Sequence, residues 1–356
     1  MDTLLIGHAE IERVLHAVGR DALMDRIIER LTKGLTELGQ RARELSPARS
    51  GFEREDPTPG VLEWMPHYDA GHGITIKTVA YSPENPRLFG LPTILSTLAR
   101  YDGDTGRLLV LADGNVLTAL RTGATAAVAS SLLARPESTV VGLIGAGTQA
   151  VTQLHALTRA FPVERVLVWD VRKENAASLA ARTAFLGVSV TVVPPDVIVA
   201  RADIISTATS TGVGEPPVLP YGDHQDHLHV NAIGSDLVGK TELPRRLLRE
   251  AFICPDHPEQ ALREGECQQL AGDDAARRAI GPSLGELCAS TARAVVQRDR
   301  LTVFDSTGFA LEDHLALDVL LEIADELGLG TRAEVETRPR DAFDPYSISR
   351  EQPWSG

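Results

Sequence analysis

The sequence predicts an α/β protein in which a doubly wound parallel sheet is combined with a discontinuous α+β domain. From Val140 onward, short apolar segments alternate with helical segments, which is typical of parallel strands covered by helices. Between residues 60 and 112, alternating or apolar stretches are separated by turn residues, as in an antiparallel sheet. An amphipathic helical pattern at residues 309–328 follows the last predicted strand. We expect this helix to belong to the first domain, so that this domain is formed by two separate stretches of the sequence.

These observations predict two domains, which suits a chain of 356 residues. Residues 1–125 together with 310–356 form the first domain, and residues 126–309 form the second.

The predicted elements begin with one helical pattern at residues 9–39, where apolar residues recur at helix spacing. Strands are predicted at 73–79 and 93–98, and residues 102–106 are typical of a hairpin turn. A helix rich in alanine and leucine is predicted at 121–134. In the second domain the predicted strands are 140–144, 165–169, 188–192, 202–206, 228–232, 251–254 and 302–304, with helices at 149–159 and 174–183.

Composition narrows the class of protein. The net charge is −14, which argues against nucleic acid or an anionic membrane surface as the main partner. Three scattered cysteines, Cys254, Cys267 and Cys288, do not predict a disulfide framework or a zinc site and favour the cytoplasm. No apolar run of membrane-spanning length and no signal peptide are expected.

A dinucleotide site is predicted at Gly145, Gly147 and Ala150, which follow an apolar strand and open a helix. The first glycine permits the tight turn, the second lets the backbone approach a pyrophosphate, and the helix N-terminus attracts the phosphates. Asp170 ends the next strand, where a carboxylate accepts hydrogen bonds from ribose hydroxyls and repels a 2′-phosphate. NAD is therefore favoured in this Rossmann-type domain, while the nearby Arg172 leaves NADP as the alternative cofactor.

Asp236 is the main catalytic candidate. It ends the turn at residues 233–236, which follows a predicted strand and so lies at the carboxyl edge of the sheet, where ligands bind. A carboxylate beside a nicotinamide could shuttle protons to an amino group. An aspartate after a strand is also typical of a helix cap, so both interpretations stay open from these residues alone.

The run NAIGSDLVGKTEL at residues 231–243 resembles the ornithine cyclodeaminase/mu-crystallin family, and other motifs occur in the family's order. Within the family, four stretches are most similar to the lysine cyclodeaminases, which form L-pipecolate in actinomycete secondary-metabolite pathways. The family motifs are at residues 63–66, 76–78, 91–93, 117–124, 145–150 and 303–310, and the four stretches are at 46–49, 77–83, 260–266 and 341–346.

The resemblance implies the roles of individual residues. Asp236, Lys77 and Glu63 are the implied catalytic residues. The residues that would bind substrate are Arg49, Lys77, Arg121, Asp236 and Thr307. The residues that would bind the cofactor are Thr93, Arg121, Gly145, Gly147, Thr148, Gln149, Asp170, Thr209, Ile233, Gly234, Ser235, Lys240 and Ser306.

Some of these residues have plainer interpretations. Taken alone, Lys77 and Arg49 are typical of solvent-facing charges, and Glu63 of an edge-strand charge. Arg121 opens a predicted helix, where the helix dipole disfavours a cation, and this favours a functional role. Asp305 is typical of a strand-end cap.

A metal site is not expected. His227 and His229 could share one face of a strand, but they lie where a polar loop enters the strand, and the resemblance implies no metal there.

The implied reaction is a closed redox cycle that converts L-lysine to L-pipecolate and ammonia with NAD. A hydride leaves the substrate Cα, the terminal amine attacks the resulting imine, ammonia leaves, and the cyclic imine takes the hydride back. The alternatives are ornithine cyclodeamination to L-proline, NAD(P)H-dependent ketimine reduction, and non-catalytic binding as in mu-crystallin. The resemblance also implies a homodimer whose first domain binds a small basic amino acid and pairs the subunits.

Overall fold

Two seven-stranded sheets form the framework of this computed structural model, which describes residues 2–40 and 45–348. The first sheet is mixed: its neighbouring strands are antiparallel except for one parallel pair, which joins residues 4–6 to residues 110–112. Its strands in spatial order are β14 (Thr331–Ala333), β1 (Thr3–Ile6), β6 (Leu108–Asp113), β5 (Ile94–Tyr101), β4 (Gly73–Tyr81), β3 (Gly60–Asp69) and β2 (Ser50–Arg54).

The second sheet is parallel at every pairing. Its strands in spatial order are β12 (Phe252–Pro255), β13 (Thr302–Asp305), β11 (His229–Ala232), β10 (Ile204–Thr207), β7 (Val140–Ile144), β8 (Arg165–Trp169) and β9 (Ser189–Val192). The strand order reverses between β7 and β10, and ligands of doubly wound sheets bind at such a switch point. The predicted α/β fold with a parallel sheet is confirmed.

The helical pattern at residues 9–39 folds as two helices, because Gly19 takes a positive φ of 82° between them. The remaining predicted helices form close to their expected limits. The helices are α1 (His8–Val18), α2 (Arg20–Gln40), α3 (Asn85–Leu88), α4 (Asn115–Leu133), α5 (Thr148–Ala160), α6 (Lys173–Arg182), α7 (Pro195–Arg201), α8 (Arg245–Glu250), α9 (Pro258–Glu264), α10 (Leu284–Ala289), α11 (Thr291–Val295) and α12 (Ala310–Glu326).

The elements that the sequence did not predict are short or polar. The strand β2 reads SGFER and is largely exposed, so it shows no apolar alternation. The strands β1 and β14 have four and three residues, and α7 has seven, which is too short for a periodic pattern.

Helix α4 links the two sheets and packs against α2, α5 and α12. It begins at Asn115, six residues before the predicted start, and most of its residues are buried. Among the described residues it is the one helix whose length and composition would suffice to span a membrane, and 78% of that window is buried inside the protein, as in a core helix. The predicted domain limit at 125/126 falls inside α4 and stays a prediction.

One face of the first sheet packs against α12, which contacts both β3 and β4. Side chains alternate between the faces of a strand, so Met65, Lys77 and Val79 point inward while Trp64 and Thr78 point outward. This register places the side chain of Lys77 beneath α12, the helix that follows the last strand of the second sheet.

Candidate active site

A cavity of about 500 Å³ lies where the inner face of the first sheet meets the carboxyl edge of the second. It collects residues that are far apart in the chain, from Arg49 to Gly308. The predicted site residues that line it are Arg49, Glu63, Lys77, Thr93, Arg121, Gly147, Thr148, Gln149, Thr209, Ile233, Gly234, Asp236, Lys240, Ser306 and Thr307. Three predicted residues, namely Gly145, Asp170 and Ser235, do not line it.

The glycine turn between β7 and α5 has the geometry that a dinucleotide needs. Gly145 has a φ of 97°, and a Cβ there would lie 2.5 Å from the carbonyl oxygen of Ala208. A Cβ on Gly147 would meet nothing within 4 Å, so the backbone at the start of α5 is open to a phosphate. The turn therefore fits a dinucleotide.

Asp170 ends β8 and organises this turn. Its carboxylate accepts hydrogen bonds from the backbone N–H of Ala146 at 2.7 Å and of Arg172 at 2.8 Å. Arg182 donates to the carbonyl of Ala146 at 2.6 Å from the other side. The carboxylate thus stands where a 2′-phosphate would be repelled, which supports NAD over NADP.

Lys77 is 1% exposed, so the interpretation as a solvent-facing lysine is wrong. Its Nζ donates to both carboxylate oxygens of Asp313, at 3.0 and 2.9 Å. Burial and the charge of Arg121 lower the pKa of Lys77 to about 8, although Asp313 opposes this. The ammonium group is therefore close to its titration point near neutral pH.

Arg121 lies in the second turn of α4 rather than at its start, so the argument from the helix dipole was wrong. Its guanidinium donates to Glu312 at 2.5 Å and to Asp313 at 3.1 Å. Burial raises the pKa of Glu312 to about 8, against the lowering effect of Arg121. Both acidic residues lie in the first turn of α12, where they hold the side chains of Lys77 and Arg121.

Arg49 precedes β2 and is buried, with a side chain only 6% exposed, so the interpretation as a surface residue is wrong. Its guanidinium donates to Glu264 at 2.6 Å and to the carbonyl of Thr307 at 2.7 Å, and lies 3.6 Å from Glu63. Burial raises the pKa of Glu63, and Arg49 opposes that effect. Glu63 is thus a partly buried carboxyl rather than an exposed edge-strand charge.

Asp236 faces the cavity from the turn after β11. Its Oδ1 accepts a hydrogen bond from Lys240 Nζ at 2.9 Å, and its side chain is 35% exposed. Residues 237–240 form a turn and the next helix begins at Arg245, so the helix-cap alternative is wrong. Ser235 is buried and donates to the carbonyl of Lys240 at 2.7 Å, which closes the turn.

Several supporting acids gave no local sequence signal. Asp256 is buried and accepts hydrogen bonds from the hydroxyls of Ser306 and Thr307 and from the backbone N–H of Gly308, at 3.2, 3.1 and 2.6 Å. Glu264, Glu312 and Asp313 likewise became recognisable only from their partners in space. Asp305 ends β13, but its carboxylate accepts the amides of Glu266 and Cys267, which are 39 and 38 residues away, so the interpretation as a local strand-end cap is wrong.

The two histidines of the metal alternative have separate partners. His227 Nε2 is hydrogen-bonded to Asp203 at 3.1 Å, and His229 is hydrogen-bonded to Thr302 and Asn231 at 2.8 and 3.1 Å. Within residues 2–40 and 45–348, the group of three potential metal ligands is His67, Asp69 and His314, away from this segment. All three cysteines are buried and free.

Comparison with known proteins places the chain in a family. The sequence profile of the ornithine cyclodeaminase/mu-crystallin family matches residues 10–327. The L-lysine cyclodeaminase of Streptomyces rapamycinicus is 52% identical over 348 residues, covering 98% of this chain and 100% of that protein. A solved lysine cyclodeaminase, studied for its recognition of L-lysine, L-ornithine and L-2,4-diaminobutyric acid, has a TM-score of 0.95 and 58% identity over 98% of this chain and 100% of its own. An archaeal alanine dehydrogenase dimer with bound NAD has a TM-score of 0.84 and 30% identity over 94% and 100%. This chain therefore belongs to the ornithine cyclodeaminase/mu-crystallin family.

Proposed function

We propose that this chain is an NAD-dependent L-lysine cyclodeaminase that releases ammonia and forms L-pipecolate. The observation that carries the proposal is that Asp236 and the buried cations Arg49, Lys77 and Arg121 share one cavity with a dinucleotide turn. The identity of 52% over nearly the full length to an L-lysine cyclodeaminase supports the same activity.

The three cations provide a site for the substrate carboxylate. Lys77 and Arg121 are both anchored by Asp313, and Arg49 approaches the same cavity from the start of β2. Arginine binds a carboxylate through two parallel hydrogen bonds, and burial strengthens such contacts. The carboxylate of the amino acid is thereby fixed, so its Cα can be held against the cofactor site.

NAD, when bound at the turn after β7, supplies a reversible hydride acceptor, so the substrate is oxidised and the cyclic imine reduced without net cofactor change. The chain would hold it with Gly145, Gly147, Thr148, Gln149 and Asp170. Thr93, Thr209, Ile233, Gly234, Ser235, Lys240 and Ser306 remain proposed contacts, and all but the buried Ser235 line the cavity.

Asp236 is the proposed proton shuttle. Its carboxylate is open to the cavity and oriented by Lys240, so it can take a proton from the terminal amine and give one to the departing ammonia. Glu63 lies 3.6 Å from Arg49 and lines the same cavity, where a carboxylate attracts the cationic amine.

We further propose that the protein is a cytoplasmic homodimer of secondary metabolism. The outer face of the first sheet supports the dimer, because Phe52, Trp64 and Leu111 are 55%, 40% and 39% exposed on it. Pairing of two such faces would bury them. Light scattering would show a particle of twice the mass of the chain.

The test of the activity is to incubate the protein with L-lysine or L-ornithine and catalytic NAD, and to identify the cyclic product by mass spectrometry. We expect L-pipecolate and stoichiometric ammonia without accumulation of NADH. Net consumption of NADH with a cyclic imine would instead indicate a ketimine reductase, and a preference for ornithine would indicate proline formation. Asp236→Asn should abolish ammonia release while NAD still binds; retained turnover would refute the role of Asp236.

A further inference from the structure

The fully buried carboxylate of Glu242 lies behind the turn that carries Asp236. Its Oε1 accepts hydrogen bonds from both the backbone N–H and the hydroxyl of Thr209, each at 2.7 Å. Its Oε2 accepts from the hydroxyl of Thr207 at 2.6 Å and from the backbone N–H of Gly234 at 2.8 Å. One side chain thus joins the loops that follow β10 and β11.

Two further carboxylates hold Glu242 itself in place. Glu266 is buried and accepts the backbone N–H of Glu242 at 2.7 Å and of Leu243 at 3.2 Å. Asp305 accepts the backbone N–H of Glu266 and of Cys267, each at 2.8 Å. A ladder of carboxylates and amides therefore runs from the end of β13 to the turn of Asp236.

Gly234 is fitted closely to this carboxylate. A Cβ at Gly234 would lie 2.6 Å from the carboxyl carbon of Glu242, so any side chain there would displace it. Because backbone and carboxylate touch, a shift of Glu242 moves the segment that ends at Asp236.

We propose that Glu242 is a positioning residue that fixes Asp236 against the reacting nitrogens, an inference that rests on the proposed lysine cyclodeamination. The role requires a carboxylate, because all four partners donate hydrogens. Glutamine has the same shape but would direct its NH₂ group at two of these donors, so one backbone N–H would lose its acceptor. The turn would relax by up to about 1 Å, and a misplacement of that size can lower a rate by about 10²-fold.

The experiment compares Glu242→Gln with wild type and with Glu250→Gln, an exposed surface control, in the L-lysine assay. We expect kcat of Glu242→Gln to fall by about 10²-fold. The KM for L-lysine should stay within about threefold of wild type, because Lys77 and Arg121 are separate from the ladder. The Kd for NAD should rise by much less than kcat falls, although Glu242 also holds Thr209 and Gly234, which are two of the proposed cofactor contacts. Glu250→Gln should match wild type.

Unchanged kcat in Glu242→Gln would overturn the proposal. A loss of NAD affinity as large as the loss of kcat would also overturn it, since Glu242 would then serve only the loop of Thr209. If Glu242→Gln does not fold, Thr207→Val removes one of the four donors without changing side-chain shape. That variant should lower kcat several-fold at constant KM, and equality with wild type would refute the proposal. Failure of the wild-type protein to form L-pipecolate would instead refute the proposed function.

Discussion

We expect Lys77, as a proposed substrate-binding residue, to make substrate binding sensitive to pH in a range where the protein remains folded. Burial and Arg121 lower its pKa to about 8, so the ammonium form that attracts a carboxylate is lost as pH rises through that value. If only this form binds the carboxylate, the Kd for L-pipecolate should rise about tenfold between pH 7 and pH 9. Isothermal titration of L-pipecolate into the NAD-loaded protein would measure this change.

Lys77→Arg is the matched control, because a guanidinium stays charged throughout this pH range. Its affinity for L-pipecolate, whatever its value at pH 7, should be constant up to pH 9. The direction of the pH effect on stability also distinguishes weaker substrate binding from unfolding of the protein. The unfolded chain binds more protons at this lysine between about pH 8 and pH 10.5, so this group raises the free energy of unfolding as pH rises there. Equal pH dependence in both proteins, or none in wild type, would refute the assignment of Lys77.

Three glycine substitutions test other contacts. Gly308→Ala would place a Cβ 2.7 Å from Arg121 Nη1 at a φ of 72°, and we expect titration to show L-pipecolate binding weakened by about 10- to 100-fold, the loss of one charge-assisted hydrogen bond. Gly145→Ala should abolish NAD binding in a fluorescence titration while circular dichroism shows a folded protein; normal affinity would exclude the turn as the cofactor site. Gly39→Ala would press α2 onto the backbone of Gly285 in α10, so denaturant unfolding should show a loss of about 1–3 kcal/mol with unchanged kcat in the folded fraction. An unchanged denaturation midpoint of Gly39→Ala would mean that α2 and α10 can move apart without lowering the free energy of unfolding.

Much of the second sheet could be predicted because its signals are local. The strand at 140–144, the turn at Gly145 and the acid at Asp170 lie within 31 residues, and each element has its own apolar period. The first sheet was predicted less completely, since its edge strand β2 is polar and exposed on most positions. The break at Gly19 was missed because the apolar spacing continues through it, although one backbone angle ends the helix.

The site was predicted only in part, because only some of its residues lie in local sequence motifs. Family motifs pointed to Lys77 and Asp236, and both line the cavity. The acids that hold these groups could not be predicted, because their partners are far apart in the chain: Asp313 is 236 residues from Lys77, and Asp305 is 39 from Glu266. Their role follows from burial and from the need to satisfy charges, which only the fold reveals.

The apolar core that runs from one sheet to the other has a consequence for how the molecule unfolds and evolves. Ile6 and Leu98 of the first sheet belong to the same buried cluster as Phe304 of the second and Ile233, which follows β11, and α4 runs through it. Neither half can lose its structure without exposing apolar surface of the other, so calorimetry should show a single cooperative transition. The nucleotide-binding half therefore cannot be transferred as an independent domain. If it were fused to an unrelated domain, one side of α4 would lose its packing surface.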